Sequence, residues 1–254
     1  MEASRIILES KPPTCYNLSM NVLTSVGILV LAVLACAFLR VAPSVFTVFY
    51  HYASAKNPRD KLLDLSSYFI IGTEAMYAVI LFLLYFSLFY FYEDNPGLDM
   101  FLPICIFAGV LATLGIFAWC FYYRKGDATE LYIPRRFAKS LVLQAKAVKK
   151  PSDIFALGLA SGLTEMFFIL PVLMVTVTEI INFPGRTIWQ PLLMIFFIII
   201  TMVPLMNVRK QFHFSRKNLA EIERERVKNK TLHRILLGAI YVSLATALIV
   251  LRAL

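Results

Sequence analysis

Three ionisable residues lie inside long apolar stretches of this 254-residue chain: Arg40, Glu74 and Glu165. A charge at the centre of a bilayer costs about 2.5–3.5 kcal/mol on insertion scales, so such a residue usually faces a protein interior, a partner charge or water. One cation and two carboxylates at similar depth therefore predict a buried polar site that binds a solute or a proton. The alternative is an ion pair that only fixes helix packing.

Neighbouring polar residues extend this candidate substrate-binding site. Thr73 and Thr164 directly precede the two glutamates and could supply hydroxyl groups, although a threonine in a helix can also bond its own backbone. Ser44 follows Arg40 by four residues and shares its helical face. We expect Arg40 and Glu165 to face the bundle interior and to lie close enough to interact, with Glu74 in the same cavity.

The apolar stretches that carry these residues predict membrane-spanning helices. Of the chain, 59% is hydrophobic and the mean hydropathy is +0.71. No stretch alternates as a barrel strand does, so the predicted fold class is an all-α membrane protein with six transmembrane helices. A span needs about 20 residues, and the six apolar runs cover approximately residues 22–50, 67–92, 100–123, 153–180, 188–206 and 235–251.

The first and fourth runs share a late proline that follows an ionisable residue. A proline inside a helix removes one backbone hydrogen bond and crowds the carbonyl four residues earlier, so we predict helix breaks at Pro43 and Pro171. We also expect these two helices to be the longest. Three helices per half suit an inverted repeat, with an N-terminal half at 1–123, a basic linker at 124–151 and a C-terminal half at 152–254.

Lysine and arginine alternate between the predicted loops. Loops 51–66, 124–151 and 207–232 carry three, eight and eight of them, whereas 93–99 carries none and 181–187 carries one. Positively charged loops stay in the cytoplasm, so we predict an integral plasma (inner) membrane protein with both termini outside.

The net charge of +9 is concentrated in these loops and indicates topology and contact with anionic lipid rather than nucleic acid. Residues 134–150 suit either a basic helix on the membrane surface or a solvated helical linker. Residues 209–230 are predicted to continue the fifth helix into the cytoplasm, stabilised by charge pairs three and four residues apart.

No cofactor or metal is predicted. The four cysteines form no C-x-x-C pair and the three histidines lack a second ligand at metal spacing. The chain has no serine elbow, no H-E-x-x-H and no phosphate-binding glycine loop, so we predict that it is not an enzyme. A membrane-embedded enzyme that uses the two glutamates is the weakest alternative.

The segments RVAPSVFTVFYHYASAK and GLTEMFFILPVLMV, in a layout of six helices with outside termini, resemble the lysine-exporter superfamily, which also contains the CcdA-type thiol-redox carriers. The resemblance implies an inverted-repeat fold that moves a small solute or reducing equivalents. CcdA-type carriers have a cysteine beside each proline, whereas here Cys36 lies seven residues before Pro43 and the fourth helix has none. Disulfide exchange needs two facing thiols, which leaves a solute carrier.

These observations predict a secondary transporter of a small polar or charged solute, with proton coupling left open. Its expected partners are a small-molecule or ion substrate and membrane lipid, without nucleic acid, and a homo-oligomer is left open. The alternative from a different class is a non-transporting membrane protein whose basic cytoplasmic segments bind a partner or anionic lipid.

Overall fold

The described part of the chain is helical, with no strand. The computed structural model describes residues 15–41, 45–54, 59–95, 101–123, 135–183, 186–214 and 230–253. The all-α class is confirmed for these residues. Their helices are α1 Cys15–Val41, α2 Val45–Ser54, α3 Arg59–Asp94, α4 Phe101–Tyr123, α5 Arg135–Ala147, α6 Pro151–Asn182, α7 Arg186–Phe214 and α8 Lys230–Ala253.

Three described helices, α1, α3 and α7, are long and apolar enough to cross a membrane. α6 adds a fourth crossing if its two bent parts count as one span. The apolar parts described for α4 and α8 are shorter. These helices are consistent with an integral membrane protein, and six crossings remain a prediction. The qualifying segments are Val22–Arg40, Asp60–Asp94 and Ile188–Gln211, and the shorter ones are Leu102–Phe117 and Ile235–Val250.

The long helices pack mainly in two pairs. α3 packs most extensively against α6, and α4 packs against α8. α1 contacts α6, α7 and α8, and α7 also contacts α3. The short helices α2 and α5 pack on each other, and they also contact α3 and α6, respectively.

Glycines allow α3 and α6 to approach closely. A Cβ atom on Gly158 would lie 2.3 Å from the carbonyl oxygen of Phe69, and one on Gly72 would lie 2.4 Å from that of Phe155. Both distances are far too short for any real Cβ atom. Backbone therefore meets backbone at this crossing, as the Gly158-x-x-x-Gly162 spacing predicts.

α6 bends by 79° between the segments that end at Met166 and begin at Phe168. Pro171 lies inside the helix, and its ring crowds the carbonyl group four residues earlier, which is at the bend. Tyr241 of α8 donates a hydrogen bond to the carbonyl oxygen of Phe168. A backbone acceptor beside the bend is thus satisfied from a neighbouring helix, as a membrane interior requires.

Some predicted boundaries need correction. The longest described helix is α3 with 36 residues, followed by α6 with 32 and α7 with 29, whereas α1 has 27. α3 is long because helical hydrogen bonding begins at Arg59, with Asp60 in its first turn, where the helix dipole favours an acid. Residues 59–66 of the predicted loop are therefore helical. Residues 51–54 of the same loop belong to the end of α2.

Other predicted features lie partly outside the described residues. Pro43 and Ser44 fall between the end of α1 and the beginning of α2, in the part that is not described. The predicted extension of the fifth helix is described as far as Phe214, and 215–229 lie outside the described residues. The predicted helix at 134–150 corresponds to α5.

Buried apolar side chains form two clusters. The large cluster joins α1, α3, α4, α6, α7 and α8, and the α2–α5 cluster joins α2, α3, α5 and α6 with one residue of α7. The large cluster includes Ile28, Tyr77, Leu81, Leu111, Ile169, Val177, Phe197 and Leu244. The α2–α5 cluster includes Phe46, Phe49, Phe69, Leu141, Leu157 and Leu205.

Candidate functional site

Polar side chains lie between the two apolar clusters. On α3, residues of the α2–α5 cluster end at Ile70 and those of the large cluster resume at Tyr77. On α6, residues of the α2–α5 cluster end at Leu157 and those of the large cluster begin at Met166. Along α7 the residues of the large cluster come first and the residue of the α2–α5 cluster follows. We call the polar residues at this boundary the polar layer: Arg40 of α1, Thr73 and Glu74 of α3, Ser161 and Glu165 of α6, and Thr201 of α7.

Arg40 is the centre of the polar layer and is only 1% exposed. Its Nη1 donates to Glu74 Oε1 in a buried ion pair and to the carbonyl oxygen of Thr201 at 3.0 Å. The guanidinium carbon lies 3.9 Å from the centroid of the Tyr77 ring, which is a cation–π contact. Helices α1, α3 and α7 therefore meet at one cation.

Glu165 joins the polar layer through hydroxyl groups. The Tyr77 hydroxyl donates to its Oε2 at 3.0 Å, and the Ser161 hydroxyl donates to its Oε1 at 3.0 Å. Tyr77 thus contacts Arg40 with its ring and Glu165 with its hydroxyl group. One tyrosine connects the cation to the second carboxylate.

The structure brings the three predicted charges together. Within the described residues, the ion pair of Arg40 is with Glu74, whereas Glu165 lies close enough to act on Arg40 electrostatically without forming a direct ion pair. The physical reason is that Tyr77 stands between Arg40 and Glu165 and contacts both. Glu74 lies three residues before Tyr77 on the same helical face, so both reach Arg40 from α3.

Three polar atoms of the ion pair have no hydrogen-bond partner among the described residues. They are Nε and Nη2 of Arg40 and Oε2 of Glu74. An unsatisfied buried polar group costs about 1–3 kcal/mol, and a charged one costs more. Among the described residues, the pair therefore leaves two donor atoms and one acceptor atom without a partner.

The predicted threonines bond backbone carbonyl groups in this structure. The Thr73 hydroxyl lies 3.0 Å from the carbonyl oxygen of Phe69 and 3.2 Å from that of Gly158, so it bridges α3 and α6. The Thr164 hydroxyl donates to the carbonyl oxygen of Ser161 at 3.0 Å. Ser161, rather than either threonine, supplies a hydroxyl group to a carboxylate.

Two residues that contact Arg40, namely Tyr77 and Thr201, were not anticipated from the sequence. Tyr77 follows Thr73 and Glu74 by four and three residues, and this spacing could have indicated it. Aromatic residues are so common in membrane helices that the spacing alone does not distinguish Tyr77 from its neighbours. Thr201 contributes a backbone carbonyl group, for which a sequence carries no signal.

A second group of polar residues lies near the far end of α6, within the large cluster. Glu179 is 1% exposed and ends the fourth apolar run, where it was overlooked. The Tyr85 hydroxyl donates to Gln190 Oε1 at 2.6 Å, and Gln190 Nε2 donates to the carbonyl oxygen of Ile181 at 2.9 Å. These hydrogen bonds connect α3, α6 and α7 at a distance from Arg40.

No family model matches this chain, and neither a curated protein nor a solved structure is significantly similar to it. The function therefore has to be argued from the polar layer itself.

Proposed function

We propose that this protein is a membrane carrier that moves a small polar or charged solute through the polar layer. The observation that carries the proposal is Arg40, a guanidinium in the last turn of α1 that is 1% exposed and whose Nε and Nη2 have no partner among the described residues. An ion pair kept only for packing would use these donors, because an unsatisfied charged group is costly. Ionisable residues within membrane helices commonly mark substrate or ion pathways.

The position of the polar layer supports a carrier rather than an open pore. Apolar side chains of the large cluster close the layer on one side, and those of the α2–α5 cluster close it on the other. A carrier passes through such an occluded state when it exposes one site to each side of the membrane in turn. The bend of α6 next to Glu165 is the feature that transporters with discontinuous helices place at their midplane sites.

The helix contacts support an inverted repeat of three spans plus three. In such a repeat, α1 corresponds to α6, α3 to α7 and α4 to α8. The contact of α3 with α6 then corresponds to that of α1 with α7, and the contact of α1 with α8 corresponds to that of α4 with α6. Three further contacts each join two corresponding helices: α1–α6, α3–α7 and α4–α8. The contact of α6 with α7 has no counterpart of similar extent between α1 and α3. A twofold axis in the membrane plane produces such a pattern.

Helix lengths support six crossings. α4 and α8 have 23 and 24 residues. At 1.5 Å per residue these helices are about 35 Å long, and the hydrocarbon core of a bilayer is about 30 Å thick. Together with the loop charges, this supports the proposed topology with both termini outside the plasma (inner) membrane. A distant relation to the lysine-exporter superfamily is part of the same proposal and rests on the sequence resemblance alone.

The proposal is tested by solute flux in liposomes that contain the purified protein. Labelled small anions, cations and zwitterions are offered separately, each with and without a pH gradient. Arg40→Lys keeps the charge but loses the planar set of donors, so we expect at least a tenfold loss of flux in a folded protein. Arg209→Lys makes the same change at a half-buried position on α7 and is the matched control.

Two results would contradict the proposal. If the folded wild-type protein moves no solute of any class, the polar layer is not a transport site. If Arg40→Lys transports as well as Arg209→Lys does, the solute does not bind Arg40.

The alternative, a membrane protein that binds anionic lipid or a partner, is favoured by one surface. α5 buries Leu141 and Ala145 against the bundle and exposes Lys139 beside Phe137 and Leu143, which are 45% and 65% exposed. Exposed basic and apolar side chains on one short helix suit a lipid surface. Loss of co-purified anionic lipid in Lys139→Gln, with no solute flux in the wild type, would favour this function.

A further inference from the structure

Two carboxylates share one guanidinium in the polar layer. Arg40 forms an ion pair with Glu74, whereas Glu165 accepts hydrogen bonds from neutral hydroxyl groups. The charged groups that act on Glu165 are Arg40 from α1 and Glu74 from α3. With all three groups ionised, the layer would hold one net negative charge among apolar helices, where an uncompensated charge is costly.

This charge balance calls for one more positive charge, and the geometry favours a proton over a metal ion. Both oxygens of Glu165 already lie 3.0 Å from hydroxyl groups. Hard metal cations take about six to eight oxygen ligands, and the nearby guanidinium would repel them. A proton needs a single carboxylate oxygen. The hydroxyl groups of Tyr77 and Ser161 can accept as well as donate, so they can bond either form of Glu165.

We propose that the polar layer binds one proton that Glu165 and Glu74 hold in turn, and that Arg40 decides which of them holds it. In the state described here, Arg40 pairs with Glu74, and the proton forms an O–H bond with Glu165. When Arg40 pairs with Glu165, that O–H bond breaks and the proton passes to Glu74 or to water that enters the opened layer. No electron moves, and no other reactant is needed.

The surroundings of Arg40 allow this exchange. Its Nε and Nη2 are unused, and the guanidinium lies over the ring of Tyr77, whose hydroxyl group already reaches Glu165. The ring therefore provides a continuous surface from one carboxylate towards the other. α6 bends directly after Glu165, so a change at the bend moves this carboxylate relative to Arg40.

The proton would couple solute movement to the pH gradient, and that role rests on the carrier function proposed above. The bound proton itself can be tested without a solute. Infrared difference spectra of the purified protein, recorded between acidic and alkaline buffer, should contain the carbonyl band of a protonated carboxylic acid that shifts in D₂O. A thermal unfolding curve verifies that each variant is folded.

Neutral variants make the test specific. Glu165→Gln should lose the band, because Arg40 and Glu74 remain as a balanced pair. Glu74→Gln should lose it too, because Arg40 then pairs with Glu165 and no proton is needed. Glu93→Gln, at an exposed position on α3, is the control and should keep the band.

The contrary outcomes are equally specific. A band that persists in Glu165→Gln, or a wild type without a titrating band, overturns the proton site. A band that is lost in Glu165→Gln but kept in Glu74→Gln overturns the exchange through Arg40. If Glu165→Gln does not fold, Tyr77→Phe serves instead: loss of its hydrogen bond should shift the band, and an unshifted band overturns the assignment to Glu165.

The two proposals can fail separately. Solute flux without a titrating band refutes the proton site and leaves the carrier in place. A titrating band without flux of any solute supports the proton site and refutes the carrier.

Discussion

The two apolar clusters that enclose the polar layer are built differently. The large cluster joins six long helices, and most of its members are aliphatic. The α2–α5 cluster depends on two short helices, α2 with ten residues and α5 with thirteen, and on aromatic rings. Segments with few contacts open locally at a lower free energy than the core of a fold. We therefore expect the polar layer to open first at the end that carries α2 and α5.

Aromatic contacts hold α2 on α3. The rings of Phe49 and Phe69 stack with centroids 5.6 Å apart, and those of Phe46 and Phe69 lie 5.3 Å apart. Such pairs contribute about 0.5–1.5 kcal/mol beyond the area they bury. In the large cluster, aliphatic side chains pack along the length of the helices. We therefore expect these helices to separate together rather than one at a time.

The largest expected effect is a difference in how far faster amide hydrogen exchange spreads when one cluster or the other is weakened. Phe49→Ala removes a ring from the α2–α5 cluster, a change that costs about 3–5 kcal/mol in protein cores. We expect faster amide hydrogen exchange in α2 and α5, with α4 and α8 unchanged. Leu111→Ala in the large cluster should instead speed exchange across all the helices that this cluster joins. Equal acceleration throughout the chain in Phe49→Ala would remove the distinction between the clusters.

A smaller effect concerns the glycines at the helix crossings. Gly158→Ala places a Cβ atom 2.3 Å from a backbone oxygen of α3, and overpacking of this kind typically costs about 1–3 kcal/mol. Gly115→Ala, at the crossing of α4 and α8, meets the Tyr241 side chain at 3.0 Å and should cost less. Gly109→Ala has no atom within 4 Å and is the control.

Thermal unfolding in detergent should rank these variants with Gly158→Ala the least stable and Gly109→Ala unchanged or slightly more stable. If Gly109→Ala and Gly158→Ala unfold at the same temperature, α3 and α6 are not in backbone contact.

The smallest effect belongs to the hydrogen bond beside the bend of α6. Tyr241→Phe removes the donor to the carbonyl oxygen of Phe168. Side-chain hydrogen bonds in membrane proteins contribute about 0.6 kcal/mol on average. We expect a small loss of thermal stability, with faster exchange near the bend only. Faster exchange in α2 would show that Tyr241 also stabilises the α2–α5 cluster.

The charged members of the polar layer could be predicted because a charge left in lipid is costly. Arg40, Glu74 and Glu165 stand out because each places a charge in an apolar run, and the cost of leaving it in lipid brings them into one interior. Their pairing was not predictable. It depends on helix rotation and on Tyr77, whose ring separates Arg40 from Glu165.

For the fold, too, local sequence predicts some features, and contacts between distant residues decide the others. Hydropathy predicts helices in all six runs, and the proline rule places the bend of α6 four residues before Pro171. Hydropathy cannot predict that the polar residues 59–66 extend α3 or that α2 continues to Ser54, beyond the end of the first apolar run. Both segments contribute to the α2–α5 cluster, which includes residues of α5 and α6 that are distant in sequence.

The most direct test of a carrier site between two apolar clusters is the accessibility of Ser161, whose side chain contacts Glu165. Ser161→Cys is made in a chain without its native cysteines, and a membrane-impermeant thiol reagent is applied to either side of sealed vesicles. Ala32→Cys, buried within the large cluster, is the control.

We predict that Ser161→Cys reacts from both sides, faster from the side of α2 and α5, and that Ala32→Cys does not react. A cysteine at 161 that reacts from neither side in the folded protein, yet reacts fully after denaturation, would contradict a site that opens to the two sides in turn.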